Sequence, residues 1–208
     1  MNDPMEQWEC SDGVDFLRNV GVRPGDALVD FGCRVGHYSI PAARLVGHAG
    51  QVYAIDKDRK SLNRLATKAQ ELGLTNVHII EGCERPAIDV PRCSVDVVLL
   101  YDVLHYFDAS RRKKLLHEAF RVLVPKGLLS VYPKHTLEDS PAKEFKDLSV
   151  SGLRQEIQFC HFRFIGRCES RMSHDDDLIE GYVLNFRKHS GRELTKSTVL
   201  LETSGCSC

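Results

Sequence analysis

A glycine-bearing turn and a later acid are the residues whose spacing points most directly to chemistry. Residues 29–36 read VDFGCRVG, and 20 residues after Gly36 an apolar run ends at Asp56. A strand, a glycine turn and an acid at the tip of the next strand are how a parallel sheet binds an adenosine-containing cofactor. Gly32 and Gly36 allow close approach of the backbone, and the Asp56 carboxylate can accept hydrogen bonds from both ribose hydroxyls. Arg34 departs from the pattern, because it replaces a second glycine.

Each of these residues also has a purely structural interpretation. The two glycines could serve only the packing of a tight turn, and Asp56 could cap a helix together with Asp58. The glycine turn and the acid occur together at the expected spacing, which favours the cofactor interpretation.

A second reactive group follows the apolar run 95–101. Tyr101, Asp102 and His105 come at the end of this run, where open α/β sheets place their ligands. His105 is the best candidate for a general base, because the reference pKa of imidazole lies near neutrality. A local hydrogen-bonding role is the alternative for this histidine. We therefore predict Tyr101, Asp102 and His105 as the catalytic group.

Charge and composition exclude several kinds of partner. The chain has 28 Lys and Arg against 29 Asp and Glu, a formal net charge of -1. This charge provides no overall electrostatic attraction to nucleic acid or to an anionic membrane. Its first residues lack a basic stretch followed by an apolar one, and no run approaches the roughly 20 apolar residues of a spanning helix. We expect a cytoplasmic monomer or homodimer that binds neither nucleic acid nor membranes.

The cysteines and acidic residues do not predict a metal site. Eight cysteines occur singly within apolar patterns, apart from Cys206 and Cys208 at the end of the chain. Two thiols supply only half of the roughly four ligands of a structural zinc ion. Residues 175–177 are three aspartates, whose better interpretation is a polar hairpin tip.

The elements that position these residues alternate between strand and helix. Apolar runs at 27–31, 51–55, 77–81, 95–101 and 128–132 predict strands. The intervening patterns predict helices, one capped by Asp58 and ended by Gly73, another at 109–123 with Pro125–Gly127 as the stop before the next strand. A helix at 148–162 and strands at 163–172 and 178–188 complete the pattern. The short polar link 173–177 can join only antiparallel strands.

Several segments, in this order, resemble the class I S-adenosylmethionine-dependent methyltransferases, nearest to the small-molecule enzymes of ubiquinone and menaquinone biosynthesis. Residues 21–26 (GVRPGD) resemble the lead-in to the first strand of that family, and residues 30–36 resemble its cofactor loop. Residues 94–105 (SVDVVLLYDVLH) resemble its fourth strand, where the acceptor site begins. Residues 121–129 (RVLVPKGLL) resemble the approach to its fifth strand, and the hairpin within 162–188 resembles its reversed seventh strand.

The resemblance implies a Rossmann-like α/β fold, a doubly wound, mostly parallel seven-stranded sheet with an antiparallel C-terminal hairpin strand and helices on both faces. It implies S-adenosylmethionine as cofactor and S-adenosylhomocysteine as product. In this resemblance Asp30 organises the turn and faces the amino group of the methionine moiety. Cys83 stands where relatives often have an aspartate for the adenine amino group, a contact that can pass to Glu84 or the backbone. The implied cofactor-binding residues are Asp30, Gly32, Cys33, Arg34, Gly36, Asp56, Lys57, Gly82, Cys83 and Tyr101.

We predict three parts of the chain and one leading function. Residues 1–20 form a helical lid with Trp8, Phe16 and Leu17 packed inward, residues 21–188 form the methyltransferase domain, and residues 189–208 form a polar tail. The leading function is in-line transfer of a methyl group to a small-molecule acceptor. A binding module that has lost catalysis through Arg34 and Cys83 is the first alternative. An NAD(P)-dependent oxidoreductase and a methyltransferase of a thiol-bound metalloid are less favoured.

Overall fold

Strands and helices alternate along the chain, and the strands share one sheet. The computed structural model describes residues 3–83 and 85–189. The strands are β1 Ala27–Phe31, β2 Gln51–Asp56, β3 Val77–Glu81, β4 Val95–Tyr101, β5 Leu123–Tyr132, β6 Phe162–His174 and β7 Asp177–Lys188. The α-helices are α1 Pro4–Gln7, α2 Gly13–Val20, α3 Ser39–Val46, α4 Arg59–Glu71, α5 Ala109–Val122 and α6 Val150–Phe159, with a π-helical segment Trp8–Asp12 and short 3₁₀ turns Leu104–Tyr106 and Lys143–Phe145.

The strand order explains where a ligand can bind. The sheet runs β3-β2-β1-β4-β5-β7-β6. Strands β1 to β5 pair in parallel, and β7 is antiparallel to both β5 and β6. The order reverses between β1 and β4, and open sheets of this kind bind ligands outside the carboxyl ends of the strands at that point. The predicted fold class is confirmed.

Successive residues of the central strands pack on opposite faces of the sheet. Val98 and Leu100 of β4 face the buried apolar side chains of α5 and α6. Val97 and Leu99 face those of α2 and α3. All four are at most 2% exposed, as expected of a strand covered by helices on both sides. Two packed layers therefore hold the carboxyl ends of β1 and β4 in place.

The N-terminal segment belongs to one of these layers. Trp8, Phe16 and Leu17 are 1%, 2% and 0% exposed, and the Trp8 indole N–H donates to the backbone oxygen of His37 at 2.7 Å. The boundaries of a lid, a catalytic domain and a tail stay predictions. Residues 190–208, with Cys206 and Cys208, lie outside the described residues.

Three predicted boundaries were wrong. Pro125–Gly127 does not separate α5 from its strand but lies inside β5. There, Leu123 pairs with Val95 and Leu128 pairs with Val97, so that β5 has extra residues that bulge out of the pairing with β4. A bulge of this kind tolerates a proline within a sheet. Helix α6 is shorter than 148–162, because the Ser149 side chain caps its start and His161, at φ 67°, ends it. The hairpin strands extend to His174 and Asp177, so the expected link 173–177 is a two-residue turn.

Residues 3–83 and 85–189 contain no helix long and apolar enough to cross a bilayer.

Candidate functional site

A cavity of about 440 Å³ opens at the carboxyl ends of β1, β2 and β4. Its wall contains nine of the ten predicted cofactor-binding residues: Asp30, Gly32, Cys33, Arg34, Asp56, Lys57, Gly82, Cys83 and Tyr101. Gly36 lies behind the loop instead. A Cβ atom there would overlap the Leu65 side chain of α4, and φ is 94°. Its glycine therefore serves the packing of helix against loop.

The loop after β1 is tied to the end of β2 by the Asp56 carboxylate. Oδ2 accepts from the backbone N–H of Arg34 at 2.8 Å, and Oδ1 accepts from the N–H of Asp58 at 2.8 Å. Gly32 has φ 83°, and a Cβ atom on it would lie 3.0 Å from Cγ2 of Val103. The glycine thus leaves room at the narrow point between the β1 and β4 loops.

Arg34 lies at the rim of the cavity, where its side chain is partly exposed. Its guanidinium pairs with the Asp175 carboxylate at the tip of the β6–β7 hairpin, and its side chain is 52% exposed. Nearby, His37 Nδ1 lies 2.9 Å from Oε1 of Glu9, and His37 Nε2 lies 3.4 Å from Oδ1 of Asp176. The pairs with Asp175 and Asp176 join the hairpin turn to the loop after β1, and the pair with Glu9 joins that loop to the N-terminal segment. The turn therefore forms part of the cavity mouth.

The three predicted catalytic residues have different positions. Tyr101 and Asp102 line the cavity, whereas His105 is 8% exposed and lies behind Asp102, with its Nδ1 atom 3.3 Å from Asp102 Oδ1. The Tyr101 hydroxyl contacts Ser130 Oγ at 2.8 Å, and Ser130 donates to Asn185 at 2.8 Å. Burial raises the pKa of Tyr101 far above its usual value. Tyr101 therefore supplies a ring to the wall rather than an ionisable hydroxyl.

Two further histidines approach Asp102 from distant parts of the sequence. His174, the last residue of β6, places Nε2 3.2 Å from Asp102 Oδ2, and His135, after β5, places Nε2 3.7 Å from Oδ1. Sequence reasoning missed both, because each is more than 30 residues from Asp102 and neither belongs to a recognisable motif. Only the convergence of β4, β5 and the hairpin at one edge of the sheet brings them together.

Comparison with known proteins agrees with this geometry. Residues 28–127 match the family described as methyltransferase domain. A S-adenosylmethionine-dependent methyltransferase from Aquifex aeolicus superposes with a TM-score of 0.68 over 89% of this chain and 92% of its own, at 25% identity.

Residues 28–127 thus match a methyltransferase domain, and the fold that contains them is that of a class I S-adenosylmethionine-dependent methyltransferase.

Curated relatives of this methyltransferase domain act on different acceptors. A probable cobalt-precorrin-6B C(15)-methyltransferase of Saccharolobus solfataricus is 40% identical over 73 residues, 35% of this chain and 36% of the relative. A ubiquinone/menaquinone biosynthesis C-methyltransferase of Vibrio vulnificus is 24% identical over 177 residues, 85% of this chain and 63% of the relative. This chain thus spans less than two thirds of the length of either relative.

The cavity of the methyltransferase domain has groups that fit S-adenosylmethionine. Asp30 is 2% exposed and accepts from Ser39 Oγ at 2.6 Å. Burial raises the pKa of Asp30 to about 6, and the charge of Asp56 adds to this effect. A buried carboxylate of this kind is stabilised in its ionised form by a nearby cationic group. The carboxylates of Asp30 and Asp56 therefore suit a ligand that has an ammonium at one end and a ribose at the other.

Two small residues, Gly82 and Cys83, line the cavity just after β3. The Gly82 N–H donates to the Asp56 backbone oxygen at 2.8 Å, and a Cβ atom on Gly82 would lie 3.2 Å from Cγ2 of Ile55. The exposed Cys83 thiol lies 3.9 Å from the Arg85 backbone oxygen, and hydrogen bonding at Arg85 lowers the Cys83 pKa. Cys33 differs, because burial raises its pKa and leaves it an unreactive thiol. Glu84 lies outside the described residues.

Proposed function

We propose that this protein transfers the methyl group of S-adenosylmethionine to a small-molecule acceptor. The observation that carries the proposal is the cavity at the β1–β4 switch point, whose wall combines the glycine turn, the Asp56 carboxylate and the buried Asp30. The matched domain family and the full-length structural likeness support the same activity. We also propose a cytoplasmic protein that is active as a monomer or homodimer.

Each binding residue has a distinct task in this proposal. Asp56 accepts from the ribose hydroxyls with the lone pairs that its two backbone contacts leave free. Asp30 holds the ammonium of the methionine moiety, and Gly32 lets the backbone approach it closely. Bound S-adenosylmethionine supplies a methyl group on a sulfonium, so that holding the acceptor in line with the S–C bond can provide most of the acceleration.

Asp102 is the polar residue on the acceptor side of the wall. His105 is buried behind it, so that a proton leaving the acceptor passes first to Asp102 in this proposal and His105 acts by positioning that carboxylate. This assigns His105 a less direct task than general base.

Calorimetric titration of the full chain with S-adenosylmethionine, S-adenosylhomocysteine and NAD tests the proposal. We expect binding of the first two and none of NAD. Asp56→Ala should weaken the binding free energy of S-adenosylhomocysteine by at least ~1 kcal/mol, the scale of lost hydrogen bonds to a charged group. Asp147→Ala is the matched control, because this aspartate is 86% exposed and remote from the cavity lining. NAD binding alone would favour an oxidoreductase, and binding of none of the three would favour a binding module.

A further inference from the structure

We propose that Asp102, His135 and His174 form a binding site for a divalent transition-metal ion at the wall of the cavity. One carboxylate oxygen of Asp102, one ring nitrogen of His135 and one of His174 all lie within 4.8 Å of one another. Asp102 directly follows β4, His135 follows β5, and His174 ends β6. The three side chains thus come from separate strands whose ends share one edge of the sheet. The inference does not depend on methyl transfer, and an ion bound to the Asp102 carboxylate would prevent it from accepting a proton from the methyl acceptor.

Each histidine turns its Nε2 atom toward Asp102 and its Nδ1 atom toward another oxygen atom. His135 Nδ1 lies 3.3 Å from the backbone oxygen of Ser140, which can only accept, so Nδ1 carries the proton. His174 Nδ1 lies 3.7 Å from the carboxylate of Asp175. The contact with Ser140 therefore leaves Nε2 of His135 as the lone-pair donor, whereas the contact of His174 with Asp175 is longer than a hydrogen bond. Metal-binding histidines are oriented in this way, by an acceptor on the nitrogen remote from the ion.

The polar atoms of this cluster are buried but unsatisfied. Asp102 Oδ1, His105 Nδ1 and His174 Nε2 make no hydrogen bond of acceptable geometry to any described residue. His105 is 8% exposed and approaches the same carboxylate from the protein side. Buried polar groups in contact without hydrogen bonds are costly. A shared cation would satisfy the lone pairs together.

The distances and donor types indicate which ions suit the site. Two ligands that each lie about 2.0–2.1 Å from a tetrahedral zinc ion are ~3.3 Å apart. His174 Nε2 lies 3.2 Å from Asp102 Oδ2, close to this spacing, and His135 Nε2 lies 3.7 Å from the other oxygen, Oδ1. Two imidazoles and a carboxylate suit Zn²⁺ and Fe²⁺ better than Mg²⁺ or Ca²⁺, which prefer oxygen. Because Asp102 and His174 line the cavity, the ion would reach its wall.

Titration of the full chain with ZnCl₂ tests the site. The parent should carry Cys206→Ser and Cys208→Ser, because two terminal thiols can themselves bind zinc. We expect one tight equivalent, and at least ~100-fold weaker binding in His135→Ala and in His174→Ala, the upper end of losses for an outer-shell partner. His117→Ala on the exposed face of α5 is the matched control and should bind as the parent does.

Two further measurements separate this inference from others. Co²⁺ in place of Zn²⁺ should give a spectrum without thiolate charge-transfer bands. S-adenosylhomocysteine should bind His135→Ala as it binds the parent, since His135 does not line the cavity. No zinc binding by the parent, zinc binding unchanged in both histidine variants, or thiolate bands would overturn the site. Zinc binding without S-adenosylhomocysteine binding would contradict the methyltransferase proposal and support the metal site.

Discussion

Asp30 shows how one buried residue can link ligand binding to pH. Burial raises its pKa to about 6, and an ammonium placed beside it favours the ionised form. We expect the affinity for S-adenosylhomocysteine to be constant above pH 7 and to fall by up to tenfold per pH unit below about 6. Calorimetry from pH 5 to 8 measures this. Asp30→Asn should bind more weakly with a flat profile, and an unchanged pH dependence in that variant would assign the titration to another group.

The same pKa predicts an effect on stability. Between the unfolded value near 3.9 and the folded value of about 6, the folded state binds more protons, so stability falls as pH rises through this window. Above it, ionised Asp30 costs up to roughly 3 kcal/mol. Asp30→Asn should therefore raise the free energy of unfolding at pH 7 by about 1–3 kcal/mol and weaken binding. Urea denaturation at pH 7 and 4.5 measures it, and the difference should be smaller at pH 4.5, which lies near the lower end of this window.

At the scale of elements, the β6–β7 hairpin reaches the cofactor loop through Arg34 and Asp175. Both side chains are more than half exposed, so that this pair contributes at most ~1 kcal/mol to stability. Its larger effect should be on ligand release. We expect Arg34→Gly and Asp175→Ala each to speed dissociation of S-adenosylhomocysteine by ~3–5-fold, on the scale of one exposed ion pair.

The double variant provides the control for the hairpin. Because the two residues act through one contact, Arg34→Gly with Asp175→Ala should release ligand no faster than either single variant. Stopped-flow displacement measures the three rates. Tighter binding in Arg34→Gly alone would instead mean that the arginine obstructs the site.

Sequence patterns predicted local elements better than their junctions. The runs at 27–31 and 95–101 match β1 and β4, because a strand buried on both faces is apolar at consecutive positions. The run at 77–81 matches β3, which is a partly exposed strand at the edge of the sheet. Pro125–Gly127 was misassigned as the stop between helix and strand because proline rarely lies inside a sheet, and only pairing with β4 shows that this segment is a bulge.

The candidate site divides in the same way. The glycine turn and Asp56 were predictable, since they belong to neighbouring strands of one crossover unit. The approach of His135 and His174 to Asp102 was not, because it depends on the order β4-β5-β7-β6 and on where the hairpin turns. The Arg34–Asp175 pair joins residues 141 positions apart and was hidden for the same reason.

For the whole molecule, the fluorescence of Trp8 reports whether the N-terminal segment unfolds together with the domain. It is the only tryptophan, is 1% exposed, and packs in the same apolar cluster as Leu28 and Leu99 of the sheet. We expect the tryptophan fluorescence and far-UV circular dichroism transitions in urea to coincide, because one core holds both parts. S-adenosylhomocysteine at 100 times its Kd should shift both equally, by about 2.7 kcal/mol. A fluorescence transition at a lower urea concentration, whose midpoint the ligand does not change, would instead show that residues 1–20 fold separately as a lid.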